Sequence, residues 1–189
     1  MTTTNEAKPA SAFAVPLTAF VLGAVVSLLL GVFGKVHNPT LTGTTSLGYP
    51  TVIDLKVVVT AVVGVLAVLQ VIGALWLYGK LGLPAPRWLG PAHRAGGVVT
   101  LLLSMFVAYN CLWALGLESG KDVSTRVVVH GVAGCAVYGV VVVKIFAVRS
   151  RRAPGWFLPL AGGLLFALFM LVVFTSTVWY VGHEGWPSR

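Results

Sequence analysis

Five long apolar runs constrain the fold of this chain more than any other feature. We place them at Ala12–Gly34, Ile53–Lys80, His93–Leu117, Arg126–Val148 and Trp156–Val181. Each run is long enough to cross about 30 Å of hydrocarbon at about 1.5 Å per helical residue. Lipid offers no hydrogen-bond partner to an exposed backbone, and the runs are too long and too uniform for barrel strands. Each run therefore predicts a transmembrane α-helix.

The composition excludes the main alternative classes. Hydrophobic residues make up 57% of the 189 residues, and only 13 Lys and Arg and 5 Asp and Glu are present. About a quarter of residues are charged in soluble domains, so this chain cannot supply the polar surface that a soluble enzyme or a secreted disulfide scaffold needs. It is also too hydrophobic for a disordered chain. We predict an all-α integral membrane protein, multi-pass in the plasma membrane and embedded in the lipid bilayer.

The predicted domain organisation is simple. Residues 12–182 form a single five-helix transmembrane bundle, residues 1–11 form a flexible polar tail, and residues 183–189 form a short outer tail. The first apolar run is too long for the hydrophobic region of a signal peptide, so we expect it to be a transmembrane helix.

The charged residues predict the orientation of the bundle. The N-terminal tail, the second loop and the fourth loop, with their flanking helix ends, carry eight basic residues and one acidic residue. The opposite side carries five basic and four acidic residues. Because cytoplasmic loops are enriched in Lys and Arg, we predict a cytoplasmic N-terminus and an outside C-terminus. The net charge of +8 therefore reflects the basic residues concentrated on the cytoplasmic side, and no nucleic-acid partner is expected.

Histidines are the strongest candidate site residues, because ionisable side chains within a bilayer are costly. His130 is predicted about one turn into the fourth helix from the outside, and His93 at the cytoplasmic start of the third. His37 and His183 fall at the outer ends of the first and fifth helices. A haem b in a helix bundle is usually held by imidazoles from two facing helices at similar depth. His93 and His130 lie near opposite faces, so as ligands of haem iron they would belong to separate haems.

For an outer haem b, His130 is the best candidate ligand, with His37 or His183 as its candidate partner. Asn110 lies on the third helix at comparable depth, although an amide is a poor ligand for haem iron. Each histidine also has a structural interpretation. His130 would then be an interfacial hydrogen-bonding residue, His93 a contact to lipid phosphate, and His37 and His183 loop residues.

Small and polar residues recur along the fourth helix at spacings of three and four, which place most of them on one face. They are His130, Gly131, Gly134, Cys135, Tyr138 and Gly139. Such a stripe lets a flat cofactor or another helix approach closely, and ordinary helix packing is the simpler interpretation. Cys111 and Cys135 lie at similar depth, so a disulfide is open, with free thiols favoured. Gln70 is predicted to hydrogen-bond between helices.

Several segments carry a resemblance to a known family: Pro91–Arg94, Asn110–Leu112, Arg126–Lys144, Pro154–Trp156 and Pro159–Gly163. Over residues 12–182 the chain resembles a family of small actinobacterial membrane proteins of unknown function. That family is loosely similar to cytochrome b561-type proteins, which also carry histidines near the ends of a small helix bundle. Its members often have a histidine where this chain has Asn110. A histidine there would match His130 in depth, so this chain departs from the pattern that would form an outer bis-histidine haem.

Three functions remain open. The first is a membrane electron-transfer subunit that binds haem b, with His130 as an outer ligand and His93 as an inner one, and passes electrons to a redox partner protein. The second is an accessory or anchor subunit without a cofactor in a larger membrane complex. The third is a small-molecule transporter, although no acidic residue stands at the centre of a run. No nucleotide-binding or hydrolytic motif occurs, so no catalytic residue is assigned.

Overall fold

Among the residues that the structure describes, five helices are long and apolar enough to cross a membrane, and these helices make up the bundle. The computed structural model describes residues 13–118 and 120–188, so the predicted tail of residues 1–11 lies outside the described residues. The helices are α1 (Ala14–Val36), α2 (Val52–Leu77), α3 (Leu89–Leu115), α4 (Thr125–Arg149) and α5 (Phe157–Glu184). Across the described ranges no β-strand occurs. The predicted all-α membrane bundle is confirmed.

The connecting loops define two ends of the bundle. We name the end that carries loops 37–51 and 116–124 and residues 185–188 the C-terminal face. The opposite end carries loops 78–88 and 150–156, and we name it the N-terminal face. The helices alternate in direction between the two faces, as short connections require.

Two helices change their winding near the C-terminal face. The last turn of α3, Cys111–Leu115, is π-helical, and so is Phe174–Val178 within α5. A π-helical turn holds more residues than an α-helical turn, and such turns are frequent at functional sites. Both turns shift the side chains that follow them relative to a continuous α-helix.

Capping interactions fix the start of α2 and attach α5 to it. The Thr51 hydroxyl accepts a hydrogen bond from the Asp54 backbone N–H at 3.1 Å, and the Asp54 carboxylate accepts one from the Thr51 N–H at 3.0 Å. This reciprocal pair is a capping box. The Tyr180 hydroxyl donates to the same carboxylate at 2.7 Å, so the end of α5 lies beside the start of α2.

The start of α3 differs from the prediction by one turn. The helix begins at Leu89, whereas the sequence placed His93 at its first turn. Proline has no backbone N–H and its fixed φ suits a first helical turn, so Pro91 is accommodated inside the helix. His93 therefore lies in the second turn of α3 and not at its end.

The helices pack in an order that differs from their order in the chain. α1 packs against α4, α4 against α5, α5 against α2 and α2 against α3. α1 and α4 approach closely at Gly23 and Gly139, where a methyl group on either glycine would collide with the backbone carbonyl of the other. Small residues permit such close packing of transmembrane helices. The Ser27 hydroxyl donates to the Gly23 carbonyl at 3.1 Å in the same region.

Two apolar clusters form the core. Towards the N-terminal face, Phe157 of α5 is fully buried against Ala19 of α1 and Val143 of α4. Nearer the middle of the bundle, Val63 of α2 packs with Val137 and Phe169. The second cluster forms the inner end of the cavity described below, because Val63, Val137 and Phe169 all line that cavity.

Replacing Gly139 with alanine tests the α1–α4 contact. We expect Gly139→Ala to lower the free energy of unfolding by about 1–3 kcal/mol, because the added methyl group has no space beside Gly23. The matched control is Gly163→Ala in α5, where an added Cβ meets no atom within 4 Å. The control should be neutral or up to about 1 kcal/mol more stable, since alanine favours helix. Thermal unfolding in detergent measures both, and equal stability of the two variants would contradict the packing.

Candidate functional site

A cavity of about 470 Å³ lies among α2, α3, α4 and α5, in the half of the bundle next to the C-terminal face. Its volume falls within the range of about 300–1,000 Å³ that is usual for small-molecule sites. The wall is mainly apolar. Polar side chains also line it, among them Thr60, Ser104, Cys111, His130, Cys135 and Tyr138.

The stripe predicted on the fourth helix forms one wall of this cavity. His130, Gly131, Gly134, Cys135 and Tyr138 all line it, whereas Gly139 packs against α1. A Cβ at Gly134 would meet no atom within 4 Å, so α4 presents bare backbone to the cavity at that point. Both cysteines line the cavity as free thiols, as the sequence favoured.

α3 and α4 are joined by a hydrogen bond from a tyrosine. The Tyr138 hydroxyl of α4 donates to the Ser104 backbone carbonyl of α3 at 2.7 Å. Both residues line the cavity. Because a buried hydroxyl without a partner is costly in an apolar interior, this bond both satisfies Tyr138 and links the two helices.

The tautomer of His130 follows from its hydrogen bond to Thr175. The Thr175 hydroxyl lies 2.6 Å from the Leu171 carbonyl, which can only accept, so the single hydroxyl proton is donated there. His130 Nδ1 lies 3.1 Å from the same hydroxyl and must therefore carry a proton and donate it. In the neutral ring, Nε2 then keeps its lone pair. His130 lines the cavity, so Nε2 is the ring nitrogen that could accept a proton or bind a metal there.

Two cations stand where the cavity approaches the C-terminal face. Lys56 lies in the second turn of α2, and Arg126 lies at the start of α4. The Arg126 guanidinium donates to the Thr175 backbone carbonyl at 2.6 Å and lies 3.6 Å from the centre of the Trp179 ring. Both cations line the cavity and interact electrostatically with His130.

His37 and His183 are bonded to tryptophans and do not line the cavity. His37 Nε2 donates to the Trp113 carbonyl at 3.2 Å, and its ring stacks on Trp113 with centroids 4.4 Å apart. His183 Nδ1 donates to the Trp179 carbonyl at 2.8 Å, and its ring stacks on Trp179 at the same separation of 4.4 Å. The structure therefore does not bring either ring into the cavity with His130.

The other sequence candidates lie apart from His130. His93 is in the half next to the N-terminal face, against Gly73, and its buried Nδ1 has no hydrogen-bond partner in the described ranges. Asn110 is buried and donates to the Phe106 carbonyl at 2.8 Å, and it does not line the cavity. Gln70 Oε1 has no partner among the residues described, so the predicted interhelical hydrogen bond is wrong for this atom.

Sequence reasoning missed three residues of this site. Thr175 was visible only as one of several small polar residues near the end of the fifth run. Thr60 is 3% exposed, lines the cavity, and its hydroxyl is without a partner in the part of the chain that the structure describes. Lys56 was counted only as a charge for orientation. Its position inside an apolar run was the signal that could have identified it.

A family model matches residues 15–188, which include all five helices except the first residue of α1, and every cavity residue named above. The chain belongs to the family DUF6529. DUF6529 is a family of unknown function, in agreement with the resemblance inferred from the sequence. No curated protein and no solved structure is similar enough to this chain to count as a match. The DUF6529 match carries no activity with it.

Replacing Thr175 with valine tests the tautomer of His130. Valine removes the hydroxyl that accepts the Nδ1 proton, so we expect the neutral ring to shift towards the Nε2-protonated tautomer. Nitrogen chemical shifts of labelled histidine report this change. Thr175→Ser keeps the hydroxyl and should keep the wild-type shifts. Identical shifts for the valine variant would mean that Thr175 does not fix the ring.

Proposed function

We propose that this protein is a haem b-binding membrane protein that takes part in electron transfer, in which His130 Nε2 would hold the haem iron. One observation carries the proposal, namely that His130 lines a cavity of about 470 Å³ inside the bundle while its Nδ1 is hydrogen-bonded to Thr175, which leaves Nε2 as the ring nitrogen without a protein partner among the described residues. Metal-ligating histidines usually donate their other ring N–H to a neighbouring acceptor, which fixes the ring. The Thr175 hydroxyl plays that part for His130.

The residues of the cavity fit such a group. The described residues hold no cluster of three or more His, Cys, Asp or Glu that could bind a metal ion. A metal at His130 would therefore need to bring most of its own ligands, as haem does with its macrocycle. The bare backbone at Gly134, one turn from His130, leaves room for the face of a flat molecule. The mainly apolar wall would exclude water from the iron and so influence its potential.

The proposed ligand set differs from the pair expected from the sequence. His37 and His183 use a ring nitrogen to bind a tryptophan carbonyl, and neither lines the cavity. We therefore propose that His130 is the one histidine that would hold the iron of this haem. His93 as the ligand of a separate haem stays a prediction.

Haem supplies one-electron chemistry when it is bound. The protein's own contribution would be to hold the ring through His130, to keep water from the cavity with its apolar wall, and to place the group near one membrane surface. The cavity lies next to the C-terminal face, so a redox partner protein would exchange electrons at that face. An accessory role without a cofactor is the outcome if haem is not bound.

Purification from haem-replete cells, followed by absorption spectroscopy, tests the proposal. We expect near-stoichiometric haem b in the wild type, with the high-spin spectrum of a single histidine ligand. His130→Gly should lose the haem, and added imidazole should restore it by occupying the vacated ligand position. His183→Ala is the matched control, because it removes an exposed histidine at the same face and should leave the spectrum unchanged.

A second pair of variants tests the location of the haem. Gly134→Leu fills the cavity and should abolish haem binding, whereas Gly163→Leu adds the same side chain at an exposed position of α5 and should not. A folded, colourless wild type would refute the proposal. If the wild type instead gives a low-spin spectrum, and His37→Ala or His183→Ala converts it to high-spin, then two histidines bind the iron and the proposal of a single histidine is wrong.

We also propose that the bundle lies in the plasma membrane with its N-terminal face in the cytoplasm. The excess of Lys and Arg on that face supports this orientation. In a background with both native cysteines replaced by serine, Ser188→Cys should react with a membrane-impermeant thiol reagent in intact cells. Gly82→Cys, in the loop of the opposite face, should react only after lysis. The reverse pattern would invert the orientation.

A further inference from the structure

We infer that the cavity selects an amphipathic ligand with an anionic head group, which Lys56 and Arg126 bind at the end of the cavity next to the C-terminal face. This inference rests on the proposed binding function of the cavity, but it does not depend on the ligand's being haem. The anion of the ligand would lie at the membrane surface, and its apolar body would lie deeper in the bundle.

The two cations belong to different helices but border one space. Lys56 projects from α2 and Arg126 from α4, and both line the cavity. Arg126 is held in place by its hydrogen bond to the Thr175 carbonyl and by the Trp179 ring beneath it. An arginine fixed in this way loses little side-chain freedom when it binds an anion.

Neither cation has an anionic partner in the described ranges 13–118 and 120–188. Glu118 and Glu184 also line the cavity, yet both are exposed, and neither forms an ion pair with Lys56 or Arg126. The buried carboxylate nearby, Asp54, is already bonded to Thr51 and Tyr180. Positive charge beside an apolar cavity is costly unless it is compensated, so an anion from a ligand would be stabilised there.

The interior of the cavity adds a second indication. The Thr60 hydroxyl lies one turn deeper than Lys56 on α2, and it is a buried polar group without a partner among the residues described. Serine and threonine in helices commonly bond to a carbonyl four residues earlier, as Thr100 and Thr175 do here. Thr60 does not, so its hydroxyl is available to a ligand. The two cations and the partnerless Thr60 hydroxyl therefore lie on the side of the cavity next to the mouth. At the inner end lies the cluster of Val63, Val137 and Phe169, where the Tyr138 hydroxyl is already bonded to the Ser104 carbonyl.

A comparison of acidic ligands with their neutral derivatives tests the inference. Haemin is titrated into the purified protein in zwitterionic detergent, alongside haemin dimethyl ester, in which both carboxylates are masked. We expect haemin to bind about tenfold more tightly or better, because its carboxylates can form charge-assisted hydrogen bonds with Lys56 and Arg126 and the esters cannot. Lys56→Gln should remove most of this difference. Lys121→Gln, an exposed lysine in loop 116–124, is the matched control and should preserve it.

Arg126→Lys provides a second variant, because it keeps the charge but weakens the interaction with Trp179 and Thr175. We expect it to lower the preference for haemin partially while the protein stays folded by circular dichroism. Anionic phospholipid added to the micelles distinguishes a lipid head group from a free ligand as the source of the anion. Competition that Lys56→Gln abolishes would identify the lipid phosphate as an occupant of the same site.

The outcomes separate this inference from the haem proposal. Equal, His130-dependent binding of haemin and its diester would overturn the inference and leave the haem proposal standing. If neither porphyrin binds, a fluorescent fatty acid and the corresponding fatty alcohol are compared. Binding of the acid alone, lost in Lys56→Gln, would support the anionic ligand and refute haem. Failure of all four probes would refute both.

Discussion

The close approach of α1 and α4 at Gly23 and Gly139 determines how the remaining helices are arranged. α4 uses this contact on one side and packs against α5 on another, so the face that carries His130 and Cys135 is left to border a cavity. α3 follows α2 and packs against it, and it reaches α4 through the hydrogen bond from Tyr138. The cavity is therefore a consequence of the packing order α1–α4–α5–α2–α3 rather than of a gap in a sequential bundle.

Buried polar groups need hydrogen-bond partners in a low-dielectric interior, and the hydrogen bonds around His130 meet that need. The chain from His130 to the Thr175 hydroxyl and on to the Leu171 carbonyl uses each proton once and leaves one lone pair, on Nε2, directed by the fold. Arg126 bonds to the backbone of the same threonine. Because Thr175 lies in a π-helical turn, the local winding of α5 sets the geometry of both side chains.

Much of the architecture could be predicted from the sequence, because long apolar runs in lipid have few structural solutions. The stripe on α4 was also predictable, since a spacing of three and four fixes which residues share a face. The cavity that this face borders could not be predicted, because periodicity does not indicate which helix lies opposite. His37 illustrates the limit, since its depth suggested a partner for His130, yet its ring is held by Trp113 through a contact between distant parts of the chain. Lys56 was read as a topological charge because sequence counting does not show that its helix face borders a cavity.

The π-helical turn in α5 also bears on how this family can diverge. A π-helical turn accommodates about one more residue than an α-helical turn in nearly the same rotation and length. Losing one codon within residues 174–178 would therefore let this turn become α-helical and would leave the side chains that follow it facing almost the same directions. Trp179 would stay beside Arg126 and Tyr180 beside Asp54, and the apolar span would still be long enough to insert into a membrane. Such a deletion would instead alter the wide turn that carries Thr175, so the hydrogen bond of His130 could change in a lineage while the bundle itself persists.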